Sequence, residues 1–498
     1  FRLEKPTGNT EQEEYTPGLT NDEFTDEYRG RADIPAVKMD LVLRGRSLMR
    51  KAALTSVLLV LMLVVLFSGT LGIASISPDA SPRANILITA ALLLISVLIN
   101  ARSVFGGLGS ALRLKPDLDT PAAVAVLVSC IHCCGLLFSG ASPQSSGVFA
   151  APAVVMLILG LFGKHCMIRR IADNFDLLCT DGEKNCIGLI KNERISAELS
   201  RGLAIGDADV CIDRKADIPA GFLSASFCED KADISAQKLS LFAPLAGIIA
   251  GGVYMLGGYG AFFDALCTFC AVTLATLPVT SLLSVNLYLK KECRTLRENG
   301  GILSSAAVAE DYSNAQVIAL DASELFPEGT VQLVNIKSSG TVALDRALLD
   351  AAGVSIAAGG PLANVFSSII GNDKNLLPQV DTLIFEEKMG ISGWVSGRRV
   401  LIGNRELMDY HGIWVPDADI IRRYESSGIS TVFLSDSGQL SAIFFLKYTA
   451  DEDIASALRA AQDNGLAFSV RSVDPNVDLK LICRVFGLSE HAVRIMSP

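Results

Sequence analysis

Half of the 498 residues are hydrophobic and the mean hydropathy is +0.40, too apolar for an ordinary soluble protein, while the length allows about three domains. The formal net charge of −10 argues against nucleic acid as a partner, because phosphate-backbone binding rests on clustered Lys and Arg. The 12 cysteines are scattered without paired zinc-ribbon spacing, so neither a disulfide scaffold nor a zinc module is expected.

In chain order, residues 1–37 carry Glu, Asp, Gly, Thr and Pro without apolar period and read as a flexible acidic tail. Residues 38–170 are expected to hold four transmembrane helices. The run from Leu54 to Ile73 is long enough to cross a bilayer. Lys38, Arg44, Arg46, Arg50 and Lys51 precede it and put the N-terminus in the cytoplasm by the positive-inside rule. A second run, Ile86 to Val104, closes on Gly106-Gly107 with Arg113 and Lys115 beyond. The third, Pro121 to Phe138, leads into the polar loop SGASPQSSG. The fourth, Val148 to Phe162, is closed by Lys164, His165, Arg169 and Arg170.

Residues 171–240 turn polar, with β-like runs ADVCI and GFLSASF, and predict a small soluble domain. Residues 241–291 predict two more spans, Leu241 to Tyr259 and Phe262 to Leu289, followed by Lys290, Lys291, Arg294 and Arg297. Beyond them strands such as QVIAL, TVQLVNI and RRVLIG alternate with amphipathic helices, the pattern of a soluble α/β region. Six basic-flanked apolar runs argue against buried core helices.

This layout resembles the heavy-metal (copper, zinc, cadmium) class of P-type ATPases. The stretch LKPDLDTPAAVAVL is similar to that family's run into its third helix. Gly106-Gly107 resembles its glycine kink, and MLILGLFGKHCMIRR its exit from the membrane. GRRVLIGNRELMDYHGI resembles its nucleotide-domain signature. The resemblance implies a multi-pass α-helical membrane protein with cytoplasmic domains. These would be a mostly-β actuator-like domain at 171–240 and a HAD-like (Rossmann-like) α/β phosphorylation domain at 292–329 and 414–498. An α+β nucleotide-binding-like domain would be inserted at 330–413. It also implies a chain that continues past residue 498, a cell-membrane location, and ATP and Mg²⁺ as cofactors if the pump is active.

By the same resemblance Asp321 falls on the position that accepts phosphate. The family follows that aspartate with Lys-Thr-Gly-Thr; here Ala322, Ser323 and Glu324 follow. Phosphoryl transfer needs positioning and charge neutralisation, and a second carboxylate ~4 Å from the incoming phosphate repels it by about 4 kcal/mol at an effective dielectric of 20, roughly a thousandfold in rate. The family's Thr-Gly-Asp corresponds to Ser472-Val473-Asp474. Its nucleotide-domain glycines survive as Gly390 and Gly393, while Lys388 replaces the first. No Thr-Gly-Glu occurs in residues 165–240. A pseudoenzyme is therefore expected. Asp321 reads either as a vestigial phosphorylation position or as a strand-end capping acid.

The family binds its ion beside a proline in the span before the phosphorylation domain. Pro278 matches that position, but Leu277 and Val279 flank it where cysteines are usual. Other thiols lie nearby: Cys267 and Cys270 at helical spacing, and Cys130, Cys133 and Cys134 in the third span. They are candidate ligands for Cu⁺ or Zn²⁺, or plain buried apolar residues; on a helix His132 points away from the Cys130 side. Three functions follow: a catalytically degenerate P-type ATPase with a regulatory or scaffolding role beside other membrane proteins, a divergent metal pump, or a passive metal-binding or sensing protein.

Overall fold

The computed structural model describes residues 31–496 apart from 74–80, 140–148, 183, 191, 204–208, 216–221, 258–261, 341, 372, 374–375 and 417–418. The expected tail up to residue 30 and the polar loop from residue 140 lie outside the described residues. The chain divides into two units, residues 1–184 with 217–311, and residues 185–216 with 312–498.

The first unit is helical, and six of its helical stretches are long and apolar enough to cross a membrane. This is the multi-pass architecture that the hydropathy predicts, with shifted borders. The first helix, α1 (Ile34–Leu66), begins 20 residues ahead of the apolar run, so residues 34–37 are helical. Pro35 opens it, where a missing N–H costs nothing. The charged prelude is held on α5 (Ala150–Leu178) by Lys38–Asp176 at 2.8 Å and internally by Asp40–Arg44 at 2.7 Å. Hydropathy sees only the lipid-facing part of such a helix.

The second run breaks at Asn100 into α2 (Pro82–Ile99) and an amphipathic α3 (Ala101–Leu112), ahead of the glycine pair. Buried Asn100 leaves helical geometry (φ −109°, ψ 24°) and donates to Thr55 Oγ1 on α1 at 2.9 Å. The helix runs straight through Gly106-Gly107. A Cβ on Gly107 would sit 2.7 Å from the Asp119 carbonyl, so this glycine permits close approach to α4 (Thr120–Ser139) rather than a kink. Buried Arg170 on α5 donates to the Ser226 carbonyl at 3.1 Å and to the Ser304 carbonyl, tying down the chain beyond the last span.

The interval 171–240 is shared out. Its ends complete α5 and open α8 (Lys231–Leu256). Between them come β1 (Asn185–Leu189), α6 (Glu193–Ser200), β2 (Asp209–Lys215) and α7 (Phe222–Phe227). Of GFLSASF, read as β-like, the described residues Phe222–Phe227 form the helix α7. Phe222, Leu223 and Phe227 are buried together against Phe175 and Leu178, and that spacing suits one helix face and not a strand. The last span is broken into α9 (Phe262–Thr276) and α10 (Ser281–Glu298) around Pro278, because proline cannot donate to the helix ladder. The first unit ends in α11 (Ala306–Tyr312).

The second unit holds two sheets. In the five-stranded sheet, order β1-β2-β3-β10-β11, the strands β2, β3 (Ala315–Asp321), β10 (Ala467–Arg471) and β11 (Val493–Met496) run parallel. After β3 come α12 (Ala322–Leu325) and the inserted six-stranded antiparallel sheet, order β4-β9-β8-β7-β6-β5. It comprises β4 (Val331–Ser338), β5 (Val380–Glu386), β6 (Gly390–Val395), β7 (Arg398–Gly403), β8 (Ser430–Asp436) and β9 (Gln439–Tyr448). The expected border at 413/414 thus falls inside one sheet; the insertion extends to Tyr448, because β9 pairs with both β8 and β4. Side-chain alternation splits its faces. Val400, Ile402 and Phe444 pack under α13 (Leu344–Ala358) and α14 (Pro361–Ile369). Leu401 and Phe445 pack toward α15 (Arg405–Tyr410) and α16 (Asp419–Ser426). Past β9, α17 (Glu452–Asp463) and α18 (Leu479–Phe486) flank β10 in sequence. A Rossmann-like parallel sheet interrupted by an α+β insertion is the predicted fold.

Candidate functional site

Asp321 ends β3, opposite Arg471 at the end of β10, and Ser472 and Asp474 follow on that strand's exit loop. All four therefore stand at the carboxyl edge of adjacent parallel strands, where open α/β sheets place their sites. The sequence names three of them. It misses Arg471, which is visible only once the register of β3 against β10 is known.

Asp321 is fully engaged within the chain. Its Oδ1 accepts from the Ser323 N–H at 3.0 Å and the Ser323 hydroxyl at 2.7 Å. Its Oδ2 accepts from Arg471 Nε at 3.1 Å and Nη2 at 2.8 Å. Glu324 Oε2 in turn accepts from the Asp321 N–H at 3.3 Å, completing a reciprocal capping box on α12. Burial pushes the Asp321 carboxyl up, but the Ser323 hydrogen bonds and the Arg471 guanidinium outweigh it and hold it below its ordinary value. Glu324, in the position where a glycine is usual in the family the motifs resemble, is a cap.

Ser472 and Asp474 form a second, drier cluster. The Ser472 hydroxyl donates to the Asp474 carbonyl at 3.1 Å and accepts from the Asp474 N–H at 3.1 Å. The buried Asp474 carboxylate accepts from Tyr448 OH at 2.5 Å and from the Asn476 N–H at 3.0 Å. Burial raises its pKa to about 6, against the lowering pull of those two bonds. Tyr448 is the last residue of the inserted sheet, so this bond joins the two sheets of the unit.

Gly390 and Gly393 lie buried on β6. At Gly390 (φ 146°) a Cβ would strike the Ile402 carbonyl and the Gly403 backbone. At Gly393 it would lie 3.2 Å from both Leu383 and Val354. Their glycine character is explained by close packing. A cleft of about 490 Å³ in the inserted domain lies elsewhere, among Arg346, Asp350, Ser396 and Arg398. There Arg398 is paired with Asp350 at 3.2 Å and with Asp436.

In the helical unit, the break at Pro278 borders a small cavity of about 20 Å³, near the size of one water, with Asp233, Gln237 and Ser281 as its polar lining. The Ser281 hydroxyl donates to Asp233 Oδ1 at 3.3 Å. The candidate thiols do not converge. Cys133, with Cys130 beside it, packs in a cluster with Met62, Leu93 and Val154. Cys134 is exposed. Cys270 lies in another cluster with Val124 and Leu274. Among the described residues no group of three His, Cys, Asp or Glu side chains is placed to hold a metal. One contact not foreseen is that of Cys267 with His132, 3.6 Å from Sγ to Nε2.

No protein-family model matches the chain. Among curated proteins it is 23% identical over 247 residues to Copper-transporting ATPase 2 of Rhizobium meliloti (strain 1021) and 24% identical over 247 residues to Copper-transporting ATPase 1 of the same organism. Each match covers 49% of this chain and 30% of the relative, so the matched part spans under a third of those proteins. Among solved structures, a zinc-transporting PIB-type ATPase in its E2.Pi state aligns over 89% of this chain and 78% of its own, at 14% identity and a TM-score of 0.43.

Proposed function

We propose, from the premise that this chain is related to the heavy-metal P-type ATPases, that it keeps their architecture without their phosphorylation cycle and serves a regulatory or scaffolding role in the membrane. The observation that carries this reading is the state of Asp321. A carboxylate that attacks a γ-phosphate must present a free oxygen, with cationic and N–H groups aimed at the phosphate. Here both oxygens are taken up by Ser323 and Arg471, and the neighbouring acid caps the same turn. Phosphate entry would have to break these bonds and bring the new charge beside Glu324. The glycines of β6 support the reading, since their space is filled by the chain's own atoms. The N-terminus and the second unit face the cytoplasm in this reading, as the basic residues flanking the spans require.

A divergent metal pump is the second reading. It is favoured by the copper-transporting relatives and by the retention of Ser472 and Asp474 on the same edge as Asp321. Labelled ATP decides between them. The degenerate protein incorporates no acid-stable phosphate, and Asp321→Asn leaves its biological role intact. A phosphoenzyme that disappears in Asp321→Asn overturns the proposal in favour of the pump.

A further inference from the structure

We propose that Val473 and Gly360 form a knob-and-hole latch that holds the inserted domain shut against the carboxyl edge of the parallel sheet, with no ligand needed to close it. The latch stands apart from the reading of Asp321, because it is a packing contact and needs no phosphoryl transfer.

The hole is a glycine position. Gly360 precedes α14 at φ 82° and ψ −173°, a backbone region that essentially only glycine occupies. A Cβ built there would run into Val473 Cγ2, so the valine methyl takes the space that any other residue at 360 would need. Val473 in turn stands where the resembled Thr-Gly-Asp motif has its glycine. A glycine at 473 would leave the hole empty.

The knob is presented from a fastened turn. Ser472 and Asp474, on either side of Val473, are bonded to each other. The Ser472 hydroxyl donates to the Asp474 carbonyl and accepts from the Asp474 N–H, both at 3.1 Å, and such side-chain-to-backbone bonds fix a local loop. The Asp474 carboxylate is itself held by Tyr448 OH at the exit of the insertion.

The rest of the junction is built for the same closed arrangement. The two crossings between the sheets are bonded together. Thr449 donates to the Thr330 carbonyl through its N–H at 2.9 Å and through its hydroxyl at 2.7 Å. Phe326 meets the Tyr448 ring at 5.4 Å and the Phe486 ring of α18 at 5.3 Å. One hydrophobic cluster includes Phe468 and Ile482 on the parallel-sheet side and Val400 and Phe444 in the insertion. Domains joined by linkers move against each other by default unless an apolar interface ties them. Here the crossings share a core, and the latch is a second attachment beyond them, so swinging the insertion open has to pull Val473 away from Gly360. Val473 also follows Arg471, the partner of Asp321, by two residues. A ligand that bridges the insertion and Asp321 must therefore lift the valine first, which makes the contact autoinhibitory.

The test uses the full chain purified in detergent without nucleotide. Spin labels on noncanonical side chains replace Glu387 of the insertion and Lys480 of α18, both exposed, which leaves the 12 cysteines untouched. Double electron–electron resonance should read one narrow distance between them. Val473→Gly empties the hole and should add a second distance population, because a lost latch lets an open state become populated. Gly360→Ala pushes the same contact apart from the other side and should split the distribution as well. Two populations in the wild-type chain, or one unchanged distance in either variant, overturns the proposal. Since the variants act from opposite sides of the contact, one that fails to fold leaves the other to decide.

Discussion

Asp321 and Asp474 stand at the ends of neighbouring parallel strands, yet the fold treats them in opposite ways. Asp321 keeps its charge. Two N–H groups of Arg471 and the Ser323 donors hold its carboxyl below the ordinary range. Asp474 is buried with a phenol and one backbone N–H, and its carboxyl rises to about 6. The first is a half-buried cap closed by Ser323 and by Arg471 from the neighbouring strand; the second is a dry joint between two sheets. Position at a strand's carboxyl edge therefore does not by itself make an acid reactive. The groups it is spent on decide that.

The contrast is broken most severely at the dry joint. Asp474→Ala leaves Tyr448 OH and the Asn476 N–H without their acceptor and should cost about 3 kcal/mol. The only tryptophans in the sequence, Trp394 and Trp414, both belong to this unit, so their fluorescence on denaturation of the full chain reads the loss directly. An Asp474→Ala chain that unfolds at the wild-type midpoint would mean that the joint bears no weight.

The pH dependence sharpens the same comparison. Asp474 binds its proton more tightly folded, at about 6, than at its ordinary 3.8. The part of its contribution linked to proton binding is thus whole below pH ~4, declines as pH rises, and is gone above about 6, on the order of 3 kcal/mol in all. Asp321 has the opposite sign: its contribution is present above the ordinary carboxylate value and is lost on acidification through its lowered pKa. Asp474→Asn should flatten the decline between pH ~4 and ~6 relative to the wild type, whereas Asp321→Asn should leave that interval alone and remove stability lost at lower pH. Identical pH profiles for the two variants would show that the acids share one environment.

The smallest effects are expected at the half-buried cap. Asp321→Ala removes the N-cap of α12 and should cost about 1 kcal/mol. Arg471→Ala should cost less than about 1 kcal/mol, because its side chain is 63% exposed and water replaces it. A loss from Arg471→Ala as large as that from Asp474→Ala would make the Asp321 pair a buried ion pair and erase the distinction drawn here.

Much of the fold was legible in the residues. The apolar runs, the strands QVIAL and RRVLIG and the break at Pro278 each rest on a local rule: hydropathy over one helix length, short continuous apolar runs of strand length, and a missing N–H. What failed locally was a competition between partners. Residues 34–53 are charged yet helical, with α5 supplying Asp176 to Lys38 and Asp40 pairing with Arg44 one turn on. Phe222–Phe227 form a helix because their apolar side chains fit one face against Phe175 and Leu178. The insertion extends to Tyr448 because β9 finds partners on both sides.

The sequence alone determined a membrane bundle followed by a parallel sheet with an insertion, since burial pattern and chain length carry that information at short range. It also marked Asp321 as an acid in the wrong company. Only the tertiary structure decided what that acid holds, because Arg471 reaches it across 150 residues of sequence through strand register. The meeting of His132 with Cys267, 135 residues apart, was settled in the same way, by the packing of α4 against α9.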